Sequence, residues 1–225
     1  AANAIGIEEK LPVESLVSAK NNEDFIALSS LNKNTIKENI IFFTKNGFMK
    51  KSLLSEYNIK RSGGVKALEL QDNDEICSVV FTDNSNVAVL TQQGQFLIFS
   101  TKDVRPIGRV SKGVKAIKLN DDDFVVSAKI IPDGTKEIIS VTKLGYCKRT
   151  SFEEFGLGSR YTKGSKLHKL KISDDSLKDF SPIVNETEVV FTSTAAQLKV
   201  KIDEINLLSK GAQGVKSINL KNDKD

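Results

Sequence analysis

A dipeptide step recurs four times along this chain: Val65-Lys66, Val114-Lys115, Ser165-Lys166 and Val215-Lys216 stand 49, 51 and 50 residues apart. Each follows glycine and leads into an apolar alternation, as in GGVKALEL, GVKAIKL, GSKLHKLKI and GVKSINL. Eighteen to twenty residues upstream of each lies a second repeated element: IIFFTKNGFMKK, VAVLTQQGQFLIF, IISVTKLGYCKRT and the weaker VVFTSTAAQLKV. There a β-branched run meets Asn-Gly, Gln-Gly or Leu-Gly and continues extended, which is a hairpin signature with glycine supplying positive φ. After the Val-Lys step and its apolar alternation come an acidic turn and one more strand-like run, EICSVVF or FVVSAKI. No segment keeps helical periodicity over twelve residues. About four short strands in a period near fifty predict an all-β, propeller-like array of blades.

The predicted domain is single, residues 1–225, with repeats near 40–86, 87–137, 138–187 and 188–225. Residues 1–39 are expected to be the tail of an earlier blade plus a polar loop around SSLNKNTIKEN. The chain opens on AANAIGIEEK without Met, as expected of a fragment. No apolar run approaches the roughly 18 residues of a membrane span, so a soluble protein is expected, and cysteines read as reduced thiols point to the cytoplasm. Cys77 and Cys147 lie in strand-like stretches without metal or redox spacing and are expected to be reduced core thiols. The acidic turns QDNDE and NDDD lack the calcium-loop ligand pattern and are expected to be solvated. His168, the single histidine, has no histidine partner for a metal site and is expected to be a partly exposed strand residue.

Net charge is only +4, but acidic turns alternate with basic stretches such as IKRSGGVK and GRVSKGVK. Repeated cations around a curved perimeter suit the phosphates of duplex DNA, which carries one charge per roughly 1.7 Å of axis. The candidate DNA-binding residues are Lys50, Lys51, Lys60, Arg61 and Lys66 in one repeat and Lys102, Arg105, Arg109, Lys112 and Lys115 in the next. The later repeats add Lys148, Arg149, Arg160, Lys163 and Lys166, then Lys199, Lys201, Lys210 and Lys216. The bland alternative is that these side chains only solvate blade surfaces. Gly63, Gly64, Gly113, Gly164, Gly211 and Gly214 beside them are read as tight-turn residues, and most of the Tyr and Phe as core.

The strings TKNGFMKKSLLSEY, DVRPIGRVSKGVKAIKL and TKLGYCKRTSFEEF resemble the repeats in the C-terminal domain of the A subunit of bacterial type IIA topoisomerases, DNA gyrase and topoisomerase IV. The resemblance implies a β-pinwheel, here of about four to five four-stranded blades, whose basic rim binds and bends duplex DNA. It also implies that cleavage chemistry belongs to an N-terminal region of the same subunit. ATP and magnesium would be used elsewhere in the parent enzyme, together with an ATPase B subunit. The chain itself is then expected to be non-catalytic and to carry no cofactor. Arg160-Tyr161-Thr162 matches the triplet around the DNA-cleaving tyrosine of these enzymes, yet Tyr161 aligns with Val110 of the preceding repeat and is read as a structural position. The Gln-Arg-Arg-Gly-Gly-Lys-Gly string of gyrase is missing, KRSGGVK at residues 60–66 being the nearest approach. KISDDSLKDF and the glycine-poor TSTAAQ look more like topoisomerase IV. A propeller used for protein recognition is the alternative from another class.

Overall fold

The computed structural model describes residues 26–27, 39–57, 65–194 and 196–216. Its unit is the Thr-x-x-Gly hairpin. Strands β1 (Asn39–Thr44) and β2 (Phe48–Leu53), β4 (Asn86–Thr91) and β5 (Gln95–Ser100), and β8 (Glu137–Thr142) and β9 (Tyr146–Ser151) form three such hairpins. The amides of Gly47, Gly94 and Gly145 donate to the carbonyls of Thr44, Thr91 and Thr142 at 3.0, 3.0 and 3.1 Å. These glycines take φ of +78°, +91° and +84°, which a side chain would disfavour. β12 (Glu188–Thr192) and β13 (Gln197–Lys201) form a fourth hairpin without glycine. There the Ser193 amide donates to Ala196 O at 2.8 Å, and the Ala196 amide to Ser193 Oγ at 3.0 Å.

A third strand pairs with the free side of each of the first three hairpins: β3 (Ile76–Thr82) on β1, β7 (Val125–Ile131) on β4 and β11 (Leu177–Ile183) on β8. The acidic turns before them are not simply solvated. Asp74, Asp123 and Asp175 each accept a hairpin-turn amide, from Asn46, Gln93 and Leu144, at 2.9, 3.0 and 3.0 Å. Each also accepts the amide of the residue that follows it, at 2.9, 3.0 and 2.9 Å. One carboxylate per turn thus clasps the hairpin to the third strand, and two backbone donors on a charged acceptor make that clasp strong.

The fourth strand comes from the next repeat. β6 (Val114–Lys115) pairs with β2, β10 (Ser165–Lys166) with β5, and β14 (Val215–Lys216) with β9. The sheet orders are therefore β3-β1-β2-β6, β10-β5-β4-β7 and β11-β8-β9-β14. This is the strand exchange of a pinwheel, and it means that the repeats near 40–86, 87–137 and 138–187 are units of sequence but not of sheet. The glycine before each exchanged strand lies against the neighbouring backbone: a Cβ at Gly113, Gly164 or Gly214 would fall 2.4, 2.3 or 2.6 Å from the carbonyl oxygen of Met49, Phe96 or Cys147. Close strand approach, rather than tight turning alone, accounts for these glycines.

The described residues make three four-stranded sheets and the two-stranded β12–β13 hairpin, with no α-helix among them. Of the expected tail and loop at 1–39, only Ile26, Ala27 and Asn39 are described. The third strands pack on one another at the middle. Ala128 N donates to Ser78 Oγ at 2.9 Å, Ser127 Oγ donates to Asp179 Oδ1 at 2.7 Å, and Lys129 pairs with Asp179 at 2.6 Å. The exchanged strands therefore lie on the perimeter. Apolar layers fill the gaps between blades: Ile41, Phe43, Val87, Val89 and Ile117 between the first and second, and Leu90, Phe96, Ile138 and Phe180 between the second and third. The first hairpin strands are consequently covered on both faces, β1 along its whole length.

Candidate nucleic-acid interface

A strap, residues 104–113, 155–164 and 205–214, leads from the turn after β5, β9 and β13 into the exchanged strand β6, β10 and β14, which pairs with the preceding blade. The straps and the exchanged strands that follow them carry most of the predicted cations that reach solvent. Lys66, Lys102, Arg105, Lys112, Lys115, Arg160, Lys163, Lys166, Lys199, Lys201, Lys210 and Lys216 are exposed, and Arg109 is half-buried. Lys115, Lys166 and Lys216 sit in register with Phe48, Gln95 and Tyr146, the first residues of β2, β5 and β9. They thus occupy the same place on three successive blades. Some exposed cations are partly engaged: Lys166 Nζ donates to Gln93 O at 2.6 Å, Lys210 Nζ to Glu154 O at 2.9 Å, and Lys199 pairs with Glu188 at 3.0 Å. Lys60 and Arg61, with Gly63 and Gly64, lie outside the described residues.

Three predicted DNA contacts point inward instead. Lys50 and Lys148 are 0% exposed and Lys51 is 2% exposed. Lys50 Nζ donates to Ala67 O at 2.5 Å and to Arg109 O, while Lys148 Nζ donates to Ser209 O at 2.7 Å. Lys51 Nζ donates to Asn84 Oδ1 at 2.6 Å and Thr101 O at 2.8 Å. Burial lowers the pKa of Lys50 and Lys51, and it brings Lys148 down to about 8 against an opposing pull from Glu154. These ammonium groups hold carbonyls of the protein, Arg109 and Ser209 being in straps, and are withdrawn from any outside phosphate. Arg149 is likewise committed: Nη1 lies 3.1 and 3.0 Å from the two Glu137 oxygens and Nε donates to Ile205 O at 2.7 Å. The second blade has Leu97 and Ile98 where the first has Lys50 and Lys51 and the third Lys148 and Arg149, so the repeat alignment already held the signal of an interior position.

His168 also differs from expectation. It is 0% exposed and lies beyond the end of β10. Its Nε2 accepts the Gly214 amide at 2.9 Å, so Nδ1, 3.1 Å from Ser140 Oγ, bears the proton. Burial drives its pKa down to about 4, with Lys148 adding to the fall and Asp175 opposing it. Leu68 and Ile117 stand at the aligned positions, marking an apolar slot. Cys147 is buried, and burial pushes the half-buried Cys77 thiol up to about 12. Among the described residues no group of His, Cys, Asp and Glu is placed to hold a metal, and no helix is long and apolar enough to cross a membrane. Tyr161, at 45% exposure, lies on the perimeter, its amide donating to Ala116 O at 2.7 Å.

Compared with known proteins, the chain is 33% identical over 92% of its length to the A subunit of DNA gyrase from Helicobacter pylori (strain ATCC 700392 / 26695), covering 26% of that protein. It is 32% identical over 91% of its length to the A subunit of DNA gyrase from Salmonella typhimurium, covering 23%. The chain therefore spans about a quarter of the length of these relatives. Among solved structures, it superposes on a DNA gyrase A C-terminal domain with a TM-score of 0.85 at 20% identity, covering 95% of this chain and 72% of that one. The C-terminal domain of a DNA topoisomerase IV gives 0.83 at 23% identity, covering 92% and 65%. A family model described as DNA gyrase C-terminal domain, beta-propeller, matches residues 38–83, 85–132, 136–177 and 189–225, in step with the hairpins. With four matches covering most of its length, the chain belongs to the family of DNA gyrase C-terminal domains.

Proposed function

We propose that this chain is a non-catalytic module that binds duplex DNA along its perimeter and bends it, within the A subunit of a type IIA topoisomerase. The observation that carries this reading is the placement of Lys115, Lys166 and Lys216 at one equivalent exposed position on three successive blades. A regular arc of cations attracts the phosphate backbone whatever the base sequence, and following the arc curves the duplex. Cleavage in this reading belongs to the N-terminal region of the same subunit, and ATP and magnesium are bound outside this chain with the B subunit, in the bacterial cytoplasm. The relatives named above are gyrase A subunits, which favours a gyrase parent over the topoisomerase IV suggested by KISDDSLKDF and TSTAAQ. Lacking the Gln-Arg-Arg-Gly-Gly-Lys-Gly string, the module is expected to bend DNA without wrapping it completely.

The test is titration of duplex DNA at several salt concentrations, with topology read after ligation of nicked circles. Affinity should fall steeply with salt, each neutralised phosphate contributing about −0.9 to the slope of log affinity against log salt. Replacing Lys66, Lys115, Lys166 and Lys216 together by Ala should flatten the slope by up to about four units. Binding indifferent to salt, or an unchanged slope in the fourfold variant, would overturn the reading.

A further inference from the structure

Tyr161 has φ of +65°, a left-handed conformation that side chains other than glycine's rarely adopt. The aligned residue of the next strap is Gly211, at φ +75°. A tyrosine kept where the sister repeat uses glycine stores backbone strain, and such strain persists only where surrounding contacts impose it. Those contacts all fall on one short segment. The Tyr161 amide donates to Ala116 O at 2.7 Å, the Lys118 amide donates to Thr162 O at 3.0 Å, and Arg160 Nη1 donates to Lys115 O. The strap is thereby laid along the end of β6.

The result is a stack. Lys115 Nζ lies 5.3 Å from the Tyr161 ring centroid and 5.9 Å from that of Phe48. An ammonium held through aromatic faces keeps its N–H groups for an outside acceptor, in contrast to Lys166, which is drawn back onto Gln93 O. Phe48 belongs to the first blade, while Arg160 and Tyr161 belong to the strap that ends in β10 on the second. We propose that Tyr161 is a positioning residue that, with Phe48, holds Lys115 outward, so that Lys115 and Arg160 form one phosphate seat bridging two blades. This rests on the DNA-binding reading above. The seat also gives the exposed ring a role without nucleophilic chemistry.

The experiment titrates a duplex oligonucleotide across a KCl series with the whole chain and four variants: Tyr161→Gly, Tyr161→Phe, Lys115→Ala, and Lys115→Ala with Tyr161→Gly. Tyr161→Gly should leave the melting temperature undiminished, since glycine takes this φ without strain, yet make the salt slope about one unit shallower. Tyr161→Phe, which keeps the ring, should restore the slope. Lys115→Ala should lose the same unit, and the double variant should lose no more than either single one. A full slope in Tyr161→Gly, or additive losses in the double variant, overturns the seat alone. Absence of binding by the unaltered chain overturns the seat and the DNA reading together.

Discussion

Lys50 and Lys148, in β2 and β9, carry the same charge as Lys112 and Lys163 in the straps. The first pair is buried and spends its donors on Ala67, Arg109 and Ser209 carbonyls; the second pair stands in solvent. The difference is one of cover. A hairpin in a blade has neighbours on both faces, so a long side chain there must satisfy its charge internally. A strap crosses the outside of the disc, where an ammonium keeps its water. Basic residues in this fold thus divide into those that hold internal acceptors and those that stand in solvent on the straps and strand ends.

The comparison is broken most directly at the buried member. Lys148→Ala should destabilise the chain by about 3 kcal/mol in urea denaturation, through a cavity and an unsatisfied Ser209 carbonyl. Lys148→Leu should stay within about 1 kcal/mol of the parent, since Leu97 fills the same position in the second blade and an uncharged side chain avoids burying an ammonium. Its salt slope for DNA should be unaltered. A shallower slope in Lys148→Leu would erase the division between inner and outer lysines.

His168, packed beside that lysine, sharpens the same contrast through pH. Its pKa of about 4 in the fold lies below the ordinary 6.5, so the unfolded chain takes up the proton first as pH falls. The associated stability is complete above about pH 6.5 and is lost as pH drops towards 4, amounting to about 3 kcal/mol. Protonating Nε2 would abolish its acceptance of the Gly214 amide. Denaturation midpoints measured from pH 7 to 4 should therefore fall less steeply in His168→Leu than in the parent. Equal slopes would show that His168 does not titrate in this way.

The smallest stability effect belongs to the exposed member. Lys163→Ala should change stability by no more than about 0.5 kcal/mol, while removing about 0.9 from the salt slope if its ammonium meets a phosphate. A marked loss of stability would place Lys163 among the residues that hold internal acceptors.

The sequence by itself determined the all-β class, the period near fifty and the hairpins, because these depend on local chemistry. Glycine at 47, 94 and 145 supplies positive φ, and the β-branched run before each extends the first strand of the hairpin. It also placed Lys115, Lys166 and Lys216 at one recurring position. Only the tertiary structure decided that each of these lysines belongs to the preceding blade, because strand exchange pairs residues far apart in the chain, as Lys115 with Phe48 shows. It showed the partners that Lys50, Lys51, Lys148 and His168 find inside, at positions where sister repeats carry Leu97, Ile98, Leu68 and Ile117, and it set Asp74, Asp123 and Asp175 on backbone amides. The physical reason is that strand alternation assigns a side chain to one of two faces. In a stacked array of blades both faces are interior, and solvent is met at the edges and straps, whose positions follow from how the blades pack.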